Sequence, residues 1–230
     1  MRVPTLSYIL TALAAYLLGS IPFGFLVAKA KGIDIRAVGS GNIGATNAMR
    51  VLGKPVGIFV LLMDVLKGFG ACFLGVLIYS YYFHQFNGLH YTSDSIPFPS
   101  QEGEEHFVII AGIFAVLGHN YTCWLKFKGG KGIATTAGVY LALAPWAALV
   151  AFAVFILAIA VTRYASVGSI AAAIALPVTV WVMTPHNLFL GIVTTALGVL
   201  AIYKHKSNIQ RLMAGTENRF GQTKSTEAKK

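Results

Sequence analysis

Charge is scarce in this 230-residue chain: Asp and Glu together number 8, Lys and Arg 18, and charged residues make up 11% of the total against 56% hydrophobic. With a mean hydropathy of +0.69 there is too little polar surface to cover a water-soluble domain, and the chain reads as an integral membrane protein. Cysteine is limited to Cys72 and Cys123, both in or beside apolar stretches and without metal-ligand spacing. That excludes a disulfide framework and leaves them as packing residues in a reducing setting. Internal repeats, heptads and a second domain are also lacking, so residues 1–230 read as one unit. The net charge of +10 would suggest nucleic acid in a soluble chain. Here the basic residues border long apolar runs, where they mark the cytoplasmic side of a membrane, and nucleic acid is not an expected partner.

The apolar runs are what the chain has instead. They fall near residues 5–28, 55–83, 107–125, 133–144, 146–162, 165–184 and 187–203, predicting an all-α polytopic integral membrane protein with about seven transmembrane helices. The first run reads as a retained span rather than a signal peptide, because only Arg2 precedes it while Lys29 and Lys31 follow it. Sixteen of the eighteen Lys and Arg lie in 29–54, in 126–131, at Arg163 and from Lys204 onward. That asymmetry places the amino terminus outside and the carboxyl terminus in the cytoplasm. The acidic stretch 84–106, with Asp94, Glu102, Glu104 and Glu105, then belongs outside, and 221–230 is expected to be a disordered tail. Asp64 and Lys67 stand three residues apart within the second run; ionisable groups at that depth should turn inward and pair.

The stretch from Gly118 to Thr136, GHNYTCWLKFKGGKGIATT, interrupts two apolar runs with a polar Gly-Lys loop. Consecutive glycines can turn the backbone through positive φ and aim several N–H groups at one anion, so Gly129, Gly130 and Gly132 read as a phosphate nest with Lys131 as a point charge. The helix expected after it would add its N-terminal dipole. The loop is not a Walker A motif, since Gly132 stands where Ser or Thr is required, and no nucleotide is implied. A flexible interhelical turn is the plain alternative.

Two further polar segments share the inner face: Gly39 to Arg50 (GSGNIGATNAMR) and Lys204 to Phe220 (KHKSNIQRLMAGTENRF). Together with GSIPFG at Gly19 to Gly24, GH at Gly118-His119 followed by LKFKGGKGIAT, and GTE at Gly215 to Glu217, they resemble the bacterial acyl-phosphate-dependent glycerol-3-phosphate acyltransferase family over nearly the whole chain. Tyr121-Thr122 departs from that pattern, where the family usually has Phe-Pro. The resemblance implies transfer of a fatty acyl group from acyl phosphate to the 1-hydroxyl of glycerol 3-phosphate, the first acylation of phospholipid biosynthesis. By motif match the functional positions fall on Ser40, Arg50, Lys131, His205 and Asn208, with Asn42, Thr46, Asn47, Gly129, Gly130 and Gly132 as substrate-binding positions. Arg50, Ser40 and Asn42 suit the glycerol phosphate and the glycine nest the acyl phosphate. No metal or other cofactor is expected, because an acyl phosphate is already activated and catalysis can rest on positioning and charge stabilisation. The location implied is the bacterial inner membrane, multi-pass, with the site facing the cytoplasm. Membrane lipid and the acyl-phosphate-producing enzyme are candidate partners.

No aspartate follows any histidine at a catalytic spacing, so no general base is evident. The expectation is that a substrate phosphate oxygen takes the hydroxyl proton and that His205 is an orienting donor. His119 and Asn120 read as organisers of the loop, and Glu217 as a partner of Arg211 or Arg219. A transporter of a phosphorylated metabolite is the alternative from another class; the lack of a repeat and the gathering of polar residues at one face weigh against it. A scaffold in a lipid-synthesis assembly would not need the glycines.

Overall fold

The computed structural model describes residues 4–87 and 103–219, and all regular structure among them is helical. The expectations for most of 84–106 and for 221–230 lie outside the described residues. Ten helices follow in order: α1 (Thr5–Ser20), α2 (Phe23–Ala30), α3 (Ala45–Leu52), α4 (Lys54–Asn87), α5 (Glu104–Asn120), α6 (Ile133–Leu143), α7 (Pro145–Thr162), α8 (Ala165–Met183), α9 (Leu188–Lys204) and α10 (Lys206–Met213).

Where these helices depart from the apolar runs, a named residue is responsible. The first run is broken at Ile21-Pro22: proline has no N–H to continue the ladder and forces its predecessor out of the helical region, so Ile21 takes φ −60°, ψ 114°. The glycine-rich loop after Lys31 is irregular only as far as Gly44. ATNAMRVL then forms the short α3 within the polar segment. At the carboxyl end the last apolar run passes into a second helix, with a bend of 52° between α9 and α10 at His205.

Among the described residues, five helical segments are long and apolar enough to cross a membrane, and the bent α9–α10 pair brings the number to six. α6 has 11 residues, about 16 Å, roughly half the hydrocarbon thickness. Large apolar side chains such as Leu157, Val161 and Val182 face outward, as expected where lipid replaces water as the solvent. α1, α4, α5 and α6 pack as one bundle, with α7, α8 and α9 alongside.

Small residues bring the bundle's backbones together, the usual device where lipid offers no hydrophobic drive for helix association. The α4–α6 crossing is reciprocal: a Cβ at Gly68 would strike the Thr135 carbonyl, and one at Gly138 would strike the Val65 carbonyl. Above the bundle, Ile35, Ile43, Ala28, Ala48, Val60 and Leu125 form a second apolar cluster under the polar loops.

Deep between α1, α4 and α5, Asp64 and Lys67 pair as expected, at 2.7 Å. The pair is part of a larger cluster. Lys67 Nζ also donates to the Ile21 carbonyl at 2.9 Å, at the Pro22 break, where that carbonyl accepts from Phe23 N–H as well, and His119 Nδ1 lies 3.5 Å from the same Asp64 oxygen.

Candidate active site

The carboxyl end of α5 is the post on which the site is built. Ser20 Oγ donates to the Gly118 carbonyl at 3.3 Å, Tyr16 OH to the Tyr121 carbonyl at 2.7 Å, and Thr122 Oγ1 to the Ser20 carbonyl at 2.6 Å. So α1 fixes where α5 stops. The last carbonyls of α5 have no helical partner of their own, and the glycine loop supplies one. Gly130 N–H donates to His119 O at 3.0 Å and Gly129 N–H to Asn120 O at 3.2 Å, while Lys204 Nζ also reaches Asn120 O at 2.9 Å.

This corrects the nest reading. The amides of Gly129 and Gly130 are spent on the end of α5, and only Gly132 takes a positive φ, +82°, where it precedes α6. The two glycines are required by proximity: a Cβ on Gly129 would meet the His119 carbonyl, and one on Gly130 the His119 imidazole. His119 and Asn120 are therefore organisers of the loop, as expected.

The first polar loop is organised by Asn47. Its Oδ1 accepts from Ser40 N–H at 2.8 Å, and its Nδ2 is directed to the carbonyls of Asn42, Val38 and Ile35 at 2.9 to 3.2 Å. With its amide occupied in this way, Asn47 shapes the loop that carries Ser40 and Asn42. Arg50, one turn along α3, donates to Asn47 Oδ1 at 3.4 Å. Thr46 is exposed.

The third segment adds a polar chain. Lys131 Nζ donates to Asn208 Oδ1, Asn208 Nδ2 donates to Glu217 Oε1 at 2.7 Å, and Arg211 Nε donates to Glu217 Oε2 at 2.7 Å. Ser166 Oγ at the start of α8 donates to the same carboxylate at 3.1 Å. Of the two partners considered for Glu217, Arg211 holds it, while Arg219 Nε turns to Tyr164 OH at 3.3 Å. Burial works against the Glu217 carboxylate, yet hydrogen bonds from Asn208 and Arg211 hold its pKa below the ordinary value. Burial lowers the Lys131 ammonium to about 8; the positive charges of Arg211, Arg50 and Lys204 push the same way, against Glu217. His205 Nδ1 lies 2.8 Å from the Ala201 carbonyl, which can only accept, so the neutral ring carries its proton there and leaves Nε2 as a lone-pair acceptor. The expected donor role is exercised toward the backbone.

These three segments enclose a polar cleft of about 230 Å³, lined by Ser40, Gly41, Asn42, Gly129, Gly130, Lys131, Lys204, Ser207 and Arg211. Five of the positions expected from sequence line it: Ser40, Asn42, Gly129, Gly130 and Lys131. Asn208 borders it through Lys131; Thr46, Asn47, Arg50, Gly132 and His205 are not part of the lining. The sequence reading gave no site role to Lys204, Ser207 or Arg211, although their spacing of three and four residues was a signal that they share one face. Three cations and two serines around a small concavity suit phosphate.

The glycerol-3-phosphate acyltransferase family model matches residues 9–215. The chain is 47% identical over 212 residues to the Geobacter sulfurreducens glycerol-3-phosphate acyltransferase, covering 92% of this chain and 96% of that one. A Trichlorobacter lovleyi protein of the same name is 47% identical over 206 residues, covering 90% and 94%. Among solved structures, the glycerol 3-phosphate form of PlsY, an integral membrane glycerol 3-phosphate acyltransferase, superposes with a TM-score of 0.77 at 38% identity, covering 94% of this chain and 96% of that one. A match that runs from residue 9 to residue 215 takes in every segment meeting at the cleft, and this chain belongs to the glycerol-3-phosphate acyltransferase family.

Proposed function

We propose that this membrane acyltransferase takes a fatty acyl group from acyl phosphate and places it on the 1-hydroxyl of glycerol 3-phosphate, in the cleft between the three polar segments. The observation that carries the reading is the meeting of Ser40 and Asn42, Lys131, and Lys204 with Arg211 around one concavity, at the ends of the membrane-length helices α5 and α9. Both reactants carry phosphate and only one is greasy. A polar cleft at the end of an apolar bundle accommodates that difference.

In this reading the glycerol 3-phosphate phosphate is drawn by Lys204 and Arg211, with Arg50 behind them, and the acyl phosphate by Lys131 and the amino end of α6. The hydroxyl oxygen attacks the acyl carbon, the carbon to phosphate-oxygen bond breaks, and inorganic phosphate leaves. Charge gathers on the carbonyl oxygen and the leaving phosphate, where Lys131 stabilises it. The hydroxyl proton passes to a phosphate oxygen. His205, buried outside the lining, bonds the Ala201 carbonyl through Nδ1 and so orients the turn that carries Lys204 and Ser207. Ser40 and Asn208 position the reactants, Asn208 by orienting Lys131.

The charge asymmetry supports a cytoplasmic cleft, an outer amino terminus and seven membrane segments, of which α6 enters the bilayer without crossing it alone. That arrangement suits an enzyme of a bacterial inner membrane supplied from the cytoplasm. The test is turnover by the purified protein with acyl phosphate, acyl-CoA and acyl-carrier protein offered separately. Acyl phosphate alone should support product formation; equal use of a thioester would sink the donor assignment.

A further inference from the structure

The turn just before the glycine loop is oddly built for a mere connection. After the 3-10 turn Cys123–Leu125, both Lys126 (φ 53°) and Phe127 (φ 59°) adopt the left-handed conformation, although neither is glycine. Side chains disfavour that region, and two such residues in succession persist only where something requires them. What the conformation achieves is a division of side chains. Leu125 is buried in the cluster with Ile35 and Ile43, which underlie the Ser40 loop, whereas Trp124 and Phe127 are 64% and 62% exposed.

The charge around the turn has one sign. Lys126 and Lys128 are exposed on the turn itself. Lys29 and Lys31 are exposed at the end of α2, whose Ala28 joins the cluster that holds Leu125. The nearby acid, Asp34, is neutralised by Arg36 at 2.7 Å. Aromatic rings flanked by lysines at the end of an apolar bundle match the boundary between acyl chains and headgroups, and lysines there favour anionic lipid.

We infer that the turn 124–128 binds the anionic headgroup layer of the bilayer. Trp124 and Phe127 enter the acyl boundary, and Lys126 and Lys128 meet lipid phosphates. The seated turn fixes Leu125 beneath the Ser40 loop and, directly after Lys128, the Gly129–Lys131 loop. Anionic lipid is thus a ligand that aligns both sides of the cleft and raises turnover.

The inference rests on the proposed reaction only for its activity readout, so a second readout is needed. The full-length protein is placed in nanodiscs containing brominated phosphatidylglycerol or brominated phosphatidylcholine, and tryptophan quenching is compared. The glycerol lipid should quench more, and the excess should vanish in Trp124→Phe, in Lys126→Gln/Lys128→Gln and in high salt. Turnover should be several-fold higher in phosphatidylglycerol nanodiscs for the native protein and equal in both lipids for the double lysine variant, whose turnover in detergent stays native. Equal quenching by both lipids, or a preference that survives the lysine replacement, overturns the inference. Absence of acyl-phosphate turnover in every medium alongside intact quenching would instead sink the donor reading and leave lipid binding standing.

Discussion

Lys131 offers the sharpest test, because its charge is set by where it sits. Burial beside Arg211, Arg50 and Lys204 lowers its pKa to about 8, so about nine-tenths of the free enzyme carries the ammonium at pH 7, half at pH 8 and a tenth at pH 9. The second ionisation of a phosphate monoester lies near pH 6, so glycerol 3-phosphate stays dianionic throughout this window. The pH dependence of kcat/KM reports the free enzyme, and it should fall about tenfold between pH 7 and pH 9. Lys131→Arg, whatever its absolute rate, should show no fall, since a guanidinium does not titrate there. Stability moves the other way. The unfolded chain binds the Lys131 proton more tightly than the folded one, so the penalty of charging the buried group is full below pH 8 and disappears toward pH 10.5. Lost activity at pH 9 therefore cannot be blamed on unfolding through this group. A wild-type profile flat to pH 9.5, or a Lys131→Arg profile with the same fall, would refute the assignment of Lys131 as the charged phosphate ligand.

Other perturbations probe the supports of the cleft. Removing Lys67 alone should cost about 3–5 kcal/mol in reversible detergent unfolding by leaving Asp64 uncompensated, while Asp64→Leu with Lys67→Leu should cost less than either single change; additive losses would contradict the pairing. Gly130→Ala should lower kcat/KM about a hundredfold with helicity unchanged by circular dichroism, because the new methyl displaces the His119 ring and the loop with it. His205→Asn keeps a donor near the Nδ1 position and should retain clearly more activity than His205→Ala; equal loss in single-turnover measurements would make the imidazole itself the base. Arg50→Ala should raise KM for glycerol 3-phosphate far more than for acyl phosphate, and equal effects would reassign it.

The parts of the site readable from sequence are those written in local patterning. Hydropathy marked the runs, basic residues marked one face, and the loops between runs had to meet there. The pairing of Asp64 with Lys67 followed from depth and spacing alone. What could not be read depends on where distant backbone ends up. Gly129 and Gly130 invite a nest reading until the α5 carbonyls that take their protons are in place. Asn47 was matched by motif as a substrate-binding position, and only the folded loop shows that its amide is occupied by the loop itself. The number of crossings was blurred by α6, whose residues are as apolar as any span but too few. Pro22 was a legible break that the continuous hydrophobicity of its neighbours concealed.

The mutual clasp of Gly68 and Gly138 has a further consequence. It leaves α6 no room to slide along α4, so the lysine at its head stands at a constant height above the bilayer midplane. If Lys131 holds the acyl phosphate as proposed, long and short fatty donors must present their reactive carbon at the same level, differing only in how far the tail reaches below. Any taste for chain length has to be exercised down there, among side chains remote from the chemistry.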